Sequence, residues 1–257
     1  MKSIEISPSQ YVMVIDADRC TGCGACMVAC AIENNVAPAH PDATDRTGVT
    51  WMKVVKVSSG NNGDGKPACY LPLPCQQCAA ETPCVTVCPQ NAVEVDQQTG
   101  IVFQMSQRCL GCRYCMAACP YHARYFNWWD PEWPEGMEQT LNPDVAPRMR
   151  GVVEKCNFCH GRYQAARASA AEHGQASSDP VTYEPACAQA CPTRAIKFGT
   201  PANNEQGVGD LVHSSSAFRL LPRLGTEPRV YYLSKHKWIR QMAQMEKETS
   251  TGEEVHG

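Results

Sequence analysis

With 257 residues and a formal net charge of −3, the chain has room for one large domain or two small ones. It offers no concentrated basic surface for nucleic acid. Hydrophobic residues make up an ordinary 43%, but the 17 cysteines are abnormal. No apolar run approaches the ~18 residues that span a bilayer. The start, MKSIEISPSQYVMVIDADRC, lacks a charged stretch followed by an apolar one, so no signal peptide is expected. The chain is expected to be soluble on its own, with any export or membrane attachment coming through partners.

In chain order, Tyr11–Ile15 reads as a strand and leads into the first cysteine run, Cys20, Cys23, Cys26 and Cys30, spaced C-x2-C-x2-C-x3-C. Cys69 stands outside every run, on a strand leading to Leu71-Pro72-Leu73, and reads as a small buried hydrophobe. The second run is Cys75, Cys78, Cys84 and Cys88, spaced C-x2-C-x5-C-x3-C and followed by Pro89. Ala92–Val95, a turn through Gln97–Gly100 and Ile101–Phe103 read as a hairpin. The third run is Cys109, Cys112, Cys115 and Cys119 with Pro120 behind it. Residues 127–150 hold three tryptophans and four prolines; they read either as a docking arm, since Trp and Arg favour interfaces, or as a lid over a metal centre. The fourth run is split: Cys156 and Cys159, then a short helix and polar loop over 160–182, then Cys187 and Cys191 with Pro192. Ala195–Phe198 reads as a strand, and His236–Lys247 as a helix before a polar stub.

Cysteines two and three residues apart are too close for most to bridge locally, which argues against a disulfide scaffold. Zinc closes a tetrahedron with two C-x2-C pairs and leaves the remaining cysteines of each run unexplained. Iron–sulfur chemistry uses them all. Three cysteines at x2 intervals wrap a tight loop around three corners of a cubane, with Gly22 and Gly111 letting the backbone turn. The fourth lies about one helical turn on, points away, and in two-cluster ferredoxins ligates the other cluster. The following proline fixes the chain's exit.

The runs are of two kinds. Arg19-Cys20-Thr21-Gly22-Cys23 copies Arg108-Cys109-Leu110-Gly111-Cys112, and Cys84-x3-Cys88-Pro89-x2-Ala92-Val93 copies Cys187-x3-Cys191-Pro192-x2-Ala195-Ile196. The simplest reading is a duplicated two-cluster unit. The hairpin makes the second and third runs one contiguous module. The strands after the fourth run and before the first rebuild the same module around it. This pairing predicts Cys20, Cys23, Cys26 and Cys191 on one cluster, and Cys30, Cys156, Cys159 and Cys187 on another. In the inner module, Cys75, Cys78, Cys84 and Cys119 share a cluster, and Cys88, Cys109, Cys112 and Cys115 share the last.

The expected fold is therefore α+β: two ferredoxin-like two-cluster modules, one inserted in the other, with long loops and a C-terminal extension. The outer module is 1–60 plus 151–215, the inner 61–126, the arm 127–150 and the extension 216–257. All four clusters are [4Fe-4S] by default. The x5 gap between Cys78 and Cys84, one residue longer than usual, leaves a [3Fe-4S] centre open there. Four Cys-ligated cubanes would add roughly −8 to the chain, and Arg108, Arg113 and Lys155 are the candidates to offset it. No nucleophile–base constellation, phosphate loop or cofactor fingerprint is visible, so the chain is expected to conduct electrons and not to be catalytic on its own. A structural zinc adaptor is the alternative of another class.

All sixteen ligand positions are filled in a pattern that resembles the four-cluster subunits of the complex iron–sulfur molybdoenzyme family, over about residues 8–235, including the closing segment Arg223–Leu233. The resemblance implies a molybdopterin-fold partner and an integral membrane quinone-binding subunit. Asn127-Trp128-Trp129-Asp130-Pro131 is similar to the arm of the Qrc type of menaquinone reductase, which implies a multihaem cytochrome c as electron source and menaquinone as acceptor. It also implies the periplasmic face of the membrane, reached by co-export with a signal-bearing partner. The alternatives are flow from quinol to a molybdopterin catalytic subunit, and the cytoplasmic face. Ala31 in place of a proline after the first run, and the x5 gap, depart from the family pattern.

Overall fold

The computed structural model describes residues 7–59, 67–176, 180–203 and 207–244. Its organising strand is β1 (Val12–Asp16), whose first four residues are completely buried. A strand covered on both faces has no polar side to present, and Val-Met-Val-Ile suits that position by being apolar at every step. Strand β8 (Ile196–Gly199) pairs antiparallel with it, Met13 opposite Phe198 and Ile15 opposite Ile196. On its other edge β1 pairs parallel with β10 (Val230–Leu233), which carries the short β9 (Ala217–Phe218), giving the order β8-β1-β10-β9.

Side-chain alternation assigns the two faces. Val12 and Val14 pack with Leu233 and with Val208 at the start of helix α6 (Val208–Val212). Met13 and Ile15 face the main core, which includes Cys26, Cys30, Cys156 and Cys187. Burying each of these four β1 side chains stabilises the fold by about 1.5–3 kcal/mol, so the strand is a firm base for the thiols on that side.

The expected hairpin is present: β4 (Val93–Val95) pairs antiparallel with β5 (Val102–Gln104). A second hairpin, β2 (Lys53–Ser58) with β3 (Ala68–Leu73), pairs six residues on each side and was not expected. It straddles the boundary at 60/61, whose residues 60–66 lie outside the described residues. Cys69 is buried on β3, as expected. Two-residue strands β6 (Tyr125–Phe126) and β7 (Val153–Glu154) close the base of the 127–150 segment.

Helices are short: α1 (Ala25–Glu33), α2 (Pro83–Thr86), α3 (Tyr114–Ala118), α4 (His160–Glu172), α5 (Ala186–Gln189) and α7 (Lys237–Gln244). The helix read from 160–182 is α4. The tail helix is α7, and 245–247 of the expected span lie outside the described residues. The result is a mixed α/β fold built largely from turns.

The segment 216–257 was expected as an extension, yet its β10 lies within the main sheet. The next residue upstream, Arg229, donates its backbone N–H to the Gln76 carbonyl at 3.0 Å, and Pro228 bridges Cys78. A strand that joins the first run's support to the second run's loop is structural.

Gly111 sits at φ +71°, and a Cβ there would collide with the Gly151 carbonyl oxygen. Gly111→Ala should therefore cost more than the ~1–2 kcal/mol of the left-handed backbone alone, read as a lower thermal midpoint of the iron-loaded protein.

Candidate metal centres

Each run is a C-x2-C loop feeding a helix, and the backbone repeats with the cysteines. The residue before the second cysteine lies in the left-handed region in all four: Gly22 (φ 74°), Gln77 (φ 50°), Gly111 (φ 71°) and Phe158 (φ 54°). Where the residue is not glycine, burial holds it. Gln77 is fully buried, donates Nε2 to the Cys156 carbonyl at 2.8 Å, and accepts the Val102 N–H at 2.7 Å. Phe158 meets Phe198 edge-on at 5.1 Å. Asn91 and Arg194, equivalent positions after Cys88-Pro and Cys191-Pro, also share φ 47° and 50°.

The x3 spacing places Cys26 and Cys30 on α1 at i and i+4, so both lie on one helix face, one turn apart. Cys30 is thereby carried one turn beyond Cys26, to where Cys156, Cys159 and Cys187 are its electrostatic neighbours. In the other three runs the third cysteine lies on a short helix (Cys84 on α2, Cys115 on α3, Cys187 on α5) and the fourth lies at or just past the C-terminal end of that helix.

Thiols from distant parts of the chain converge. Cys26 has Cys20, Cys191 and Cys23 as its electrostatic neighbours. Cys187 has Cys159, Cys30 and Cys156, with Cys26 beyond them. Cys75, Cys78, Cys84 and Cys119 line one small cavity of about 20 Å³, and Cys88, Cys109, Cys112 and Cys115 another of about 20 Å³. The groups are also electrostatic neighbours in series. Cys26 neighbours Cys30, Cys156 neighbours Cys75, and Cys84 neighbours Cys115. The interior groups are mostly buried, whereas Cys23 and Cys112, in the terminal groups, are exposed.

Burial pushes the Cys26 thiol up to about 11, and the Cys78 and Cys156 thiols up to about 12, with neighbouring thiolates adding to the effect. Cys30 and Cys187 are likewise raised well above the ordinary thiol range, first by burial and then by neighbouring thiols. Such thiols ionise only against a compensating positive charge, which iron supplies. Cys191 goes the other way: burial raises it, but the Thr193 side chain and the N–H groups of Ile196, Ala195 and Thr193 together outweigh that. The matching donors Ala195 N–H to Cys191 Sγ and Ala92 N–H to Cys88 Sγ are both 3.2 Å long. Gly111 N–H and Val153 N–H reach Cys109 Sγ at 3.4 and 3.5 Å. Buried thiols ringing a cavity, with N–H groups aimed at sulfur, fit an iron–sulfur cluster. Among the described residues, no three His, Cys, Asp or Glu are placed to share a single ion.

The extra residue in the x5 gap is absorbed by the loop. Ala79 and Ala80 donate their N–H groups to the Thr226 carbonyl at 3.1 and 3.3 Å, and Thr82 Oγ1 donates to the Cys78 carbonyl at 3.3 Å. Cys84 stays in its cavity with Cys75, Cys78 and Cys119.

The expected cations are placed unequally. Lys155 is buried, donates to the Val102 carbonyl and, at 2.9 Å, to the Cys156 carbonyl, and lies near Cys78 and Cys156. Arg113 borders the Cys112 cavity with its guanidinium over the Trp128 and Phe126 rings, 4.8 and 5.2 Å from their centres. Arg108 instead pairs with Glu94 at 2.8 Å on the surface. Arg108 closes the short turn Ser106–Arg108 ahead of the loop and its side chain reaches Glu94, so adjacency in sequence to Cys109 did not place its charge at the thiols. Arg124 and Arg229, both buried beside thiols, carried no signal because neither lies in a run.

The 127–150 segment folds back on the chain. Trp129 stacks on His40 at 4.6 Å, Trp128 meets Phe126 edge-on at 4.7 Å, and Asn35 donates to the Asn142 and Val145 carbonyls at 2.9 Å each.

The 4Fe-4S dicluster domain family matches residues 67–134, and the 4Fe-4S binding domain family matches 11–31. The chain is 50% identical to the menaquinone reductase iron–sulfur cluster-binding subunit of Nitratidesulfovibrio vulgaris, over 94% of this chain and 95% of that protein. It is 37% identical to a putative iron–sulfur subunit of dimethyl sulfoxide reductase from Halobacterium salinarum, over 88% and 79%. With a polysulfide reductase chain from Wolinella succinogenes it shares 34%, over 86% and 93%.

Lys155→Met should cost about 1.5–3 kcal/mol by unpairing two carbonyls from a charged donor. Arg108→Ala, an exposed pair, should cost no more than about 1 kcal/mol. Denaturant midpoints of the iron-loaded protein check both.

Proposed function

This chain belongs to the iron–sulfur electron-transfer subunits of the complex iron–sulfur molybdoenzyme family, and from that premise we propose that its sixteen motif cysteines hold four clusters as a linear wire. The observation that carries the reading is the series of four thiol groups, each neighbouring the next, with exposed cysteines only in the two terminal groups. The order is Cys20/Cys23/Cys26/Cys191, then Cys30/Cys156/Cys159/Cys187, then Cys75/Cys78/Cys84/Cys119, then Cys88/Cys109/Cys112/Cys115.

The outer module (1–60 plus 151–215) and the inserted inner module (61–126) share the β2–β3 hairpin in this reading. Support comes from the β1–β8 and β4–β5 pairings, which are equivalent in the two halves, and from the dicluster match over 67–134. When bound, each cluster supplies one-electron chemistry at a potential set by charge, sulfur hydrogen bonds and exposure. The chain's own residues position the thiols, shield the interior groups from water and aim N–H groups at sulfur. Cys84 is retained in its cavity, which favours [4Fe-4S] over [3Fe-4S] at that site.

The chain is read as a conductor without catalysis of its own, in a complex with a molybdopterin-fold subunit and an integral membrane quinone-binding subunit. The 50% identity to a menaquinone reductase subunit supports menaquinone as the acceptor; a multihaem cytochrome c as the source and the periplasmic face complete the proposal, on the resemblance of the Asn127–Pro131 segment alone. No helix among the described residues is long and apolar enough to cross a membrane, so attachment is assigned to partners. The reductase relatives supply the second reading, flow from quinol to a molybdopterin site.

An EPR-monitored redox titration with iron analysis tests the wire. About 16 irons per chain and four one-electron centres are expected, all kept in Cys69→Ser. Cys112→Ser should alter one centre alone; an iron-free zinc protein would sink the reading.

A further inference from the structure

Arg124 is 4% exposed and comes from the loop that follows Cys119-Pro120. One edge of its guanidinium is anchored, with Nη1 donating to Gln104 Oε1 at 2.9 Å. Its other nitrogens, Nε and Nη2, are fully buried and meet no nitrogen or oxygen acceptor of normal geometry; the side chains they face are the thiols of Cys84 and Cys115, toward which the guanidinium is directed. The charged groups around it are the thiols of Cys84, Cys115 and Cys75. Cys84 and Cys75 belong to one cavity, Cys115 to the next.

An unpaired buried donor costs about 1–3 kcal/mol, more when charged. A lysine could offer only a point charge here. The planar arginine fork can anchor by one edge and present N–H groups to sulfurs on two sides. Lys155 stands at the neighbouring junction, but its described hydrogen bonds go to carbonyls.

We propose that Arg124 is a positioning cation shared by the two inner-module clusters, raising both reduction potentials together and so keeping the two centres close in energy for electron exchange. The proposal rests on the ligand sets inferred above. Reduction adds negative charge on either side of the guanidinium, so removing the cation disfavours reduction at both centres. The thiols with the largest electrostatic influence on Arg124 all belong to the inner module, so the outer-module centres are not expected to respond.

The experiment is an EPR-monitored redox titration of the full iron-loaded protein, with the two inner centres assigned by their loss in Cys78→Ser and Cys112→Ser. In Arg124→Gln both inner centres should become about tenfold harder to reduce, ~59 mV for one electron. The outer two should hold, and Arg124→Lys should recover most of the shift. Should Arg124→Gln lose a cluster, Gln104→Glu keeps the guanidinium and sets a carboxylate against it. The centre on Cys75, Cys78, Cys84 and Cys119, whose cavity Gln104 does not line, should then fall in potential. Four loaded clusters with unmoved inner potentials, or a shift at one inner centre alone, would overturn the proposal. Wild-type protein without four centres would instead overturn the ligand sets beneath it.

Discussion

A thiolate is costly to take out of water, and nine of the motif cysteines are buried. Burial alone keeps such thiols protonated, as the rise of Cys78 and Cys156 to about 12 records. Four thiolates in one small space add mutual repulsion. The groups can therefore ionise only together with a cationic core, and the surrounding protein has to be shaped in advance to receive it. The left-handed loop positions, the N–H groups directed at sulfur and the buried cations are all answers to this one electrostatic demand.

The same demand explains how the groups connect. A third cysteine on a short helix and a fourth four residues on, within the helix in α1 and at or past its end in the other three runs, lets one short stretch of backbone hand a thiol to each of two neighbouring sites. Every such pair occurs beside a C-x2-C loop, so one supersecondary unit builds both a site and its link to the next. Duplication of the unit then extends the series without any new invention. Firm support from β1 matters because electron exchange is sensitive to separation, and a fully buried central strand moves little.

Most of this was legible in the sequence, and for a physical reason: ligand spacing is set by local geometry, which sequence encodes directly. The β1–β8 pairing could be read across 180 residues because repeat symmetry substituted for distance. Arg124, Gln77 and Arg229 were not legible. Each acts through tertiary placement, with a side chain that reaches a different run from the one nearest to it. Arg108 failed for the converse reason, since its position beside Cys109 says nothing about where its side chain goes, and it lies in a surface ion pair. The tryptophans of 127–150 left a docking arm and a lid over a metal centre both open, and composition could not show that His40, Phe126 and Asn35 hold the segment against the chain itself.

The x5 gap brings these threads together. An added residue between two ligands would normally swing the third out of reach, because the C-x2-C turn and the helix start are both rigid. Here the slack is taken up outward, where Ala79 and Ala80 bond to Thr226 and Pro228 bridges Cys78. The segment that receives it leads directly into β10, which is paired to β1. The C-terminal strand therefore fixes a loop of the inner module to the sheet of the outer one. Its neighbour Arg229 reinforces the joint by donating to the Cys78 carbonyl at 3.0 Å and to Gln10 Oε1 at 3.0 Å. A longer loop with such an anchor holds Cys84 as firmly as a shorter loop without one, so the irregular spacing is compatible with a complete set of four thiols.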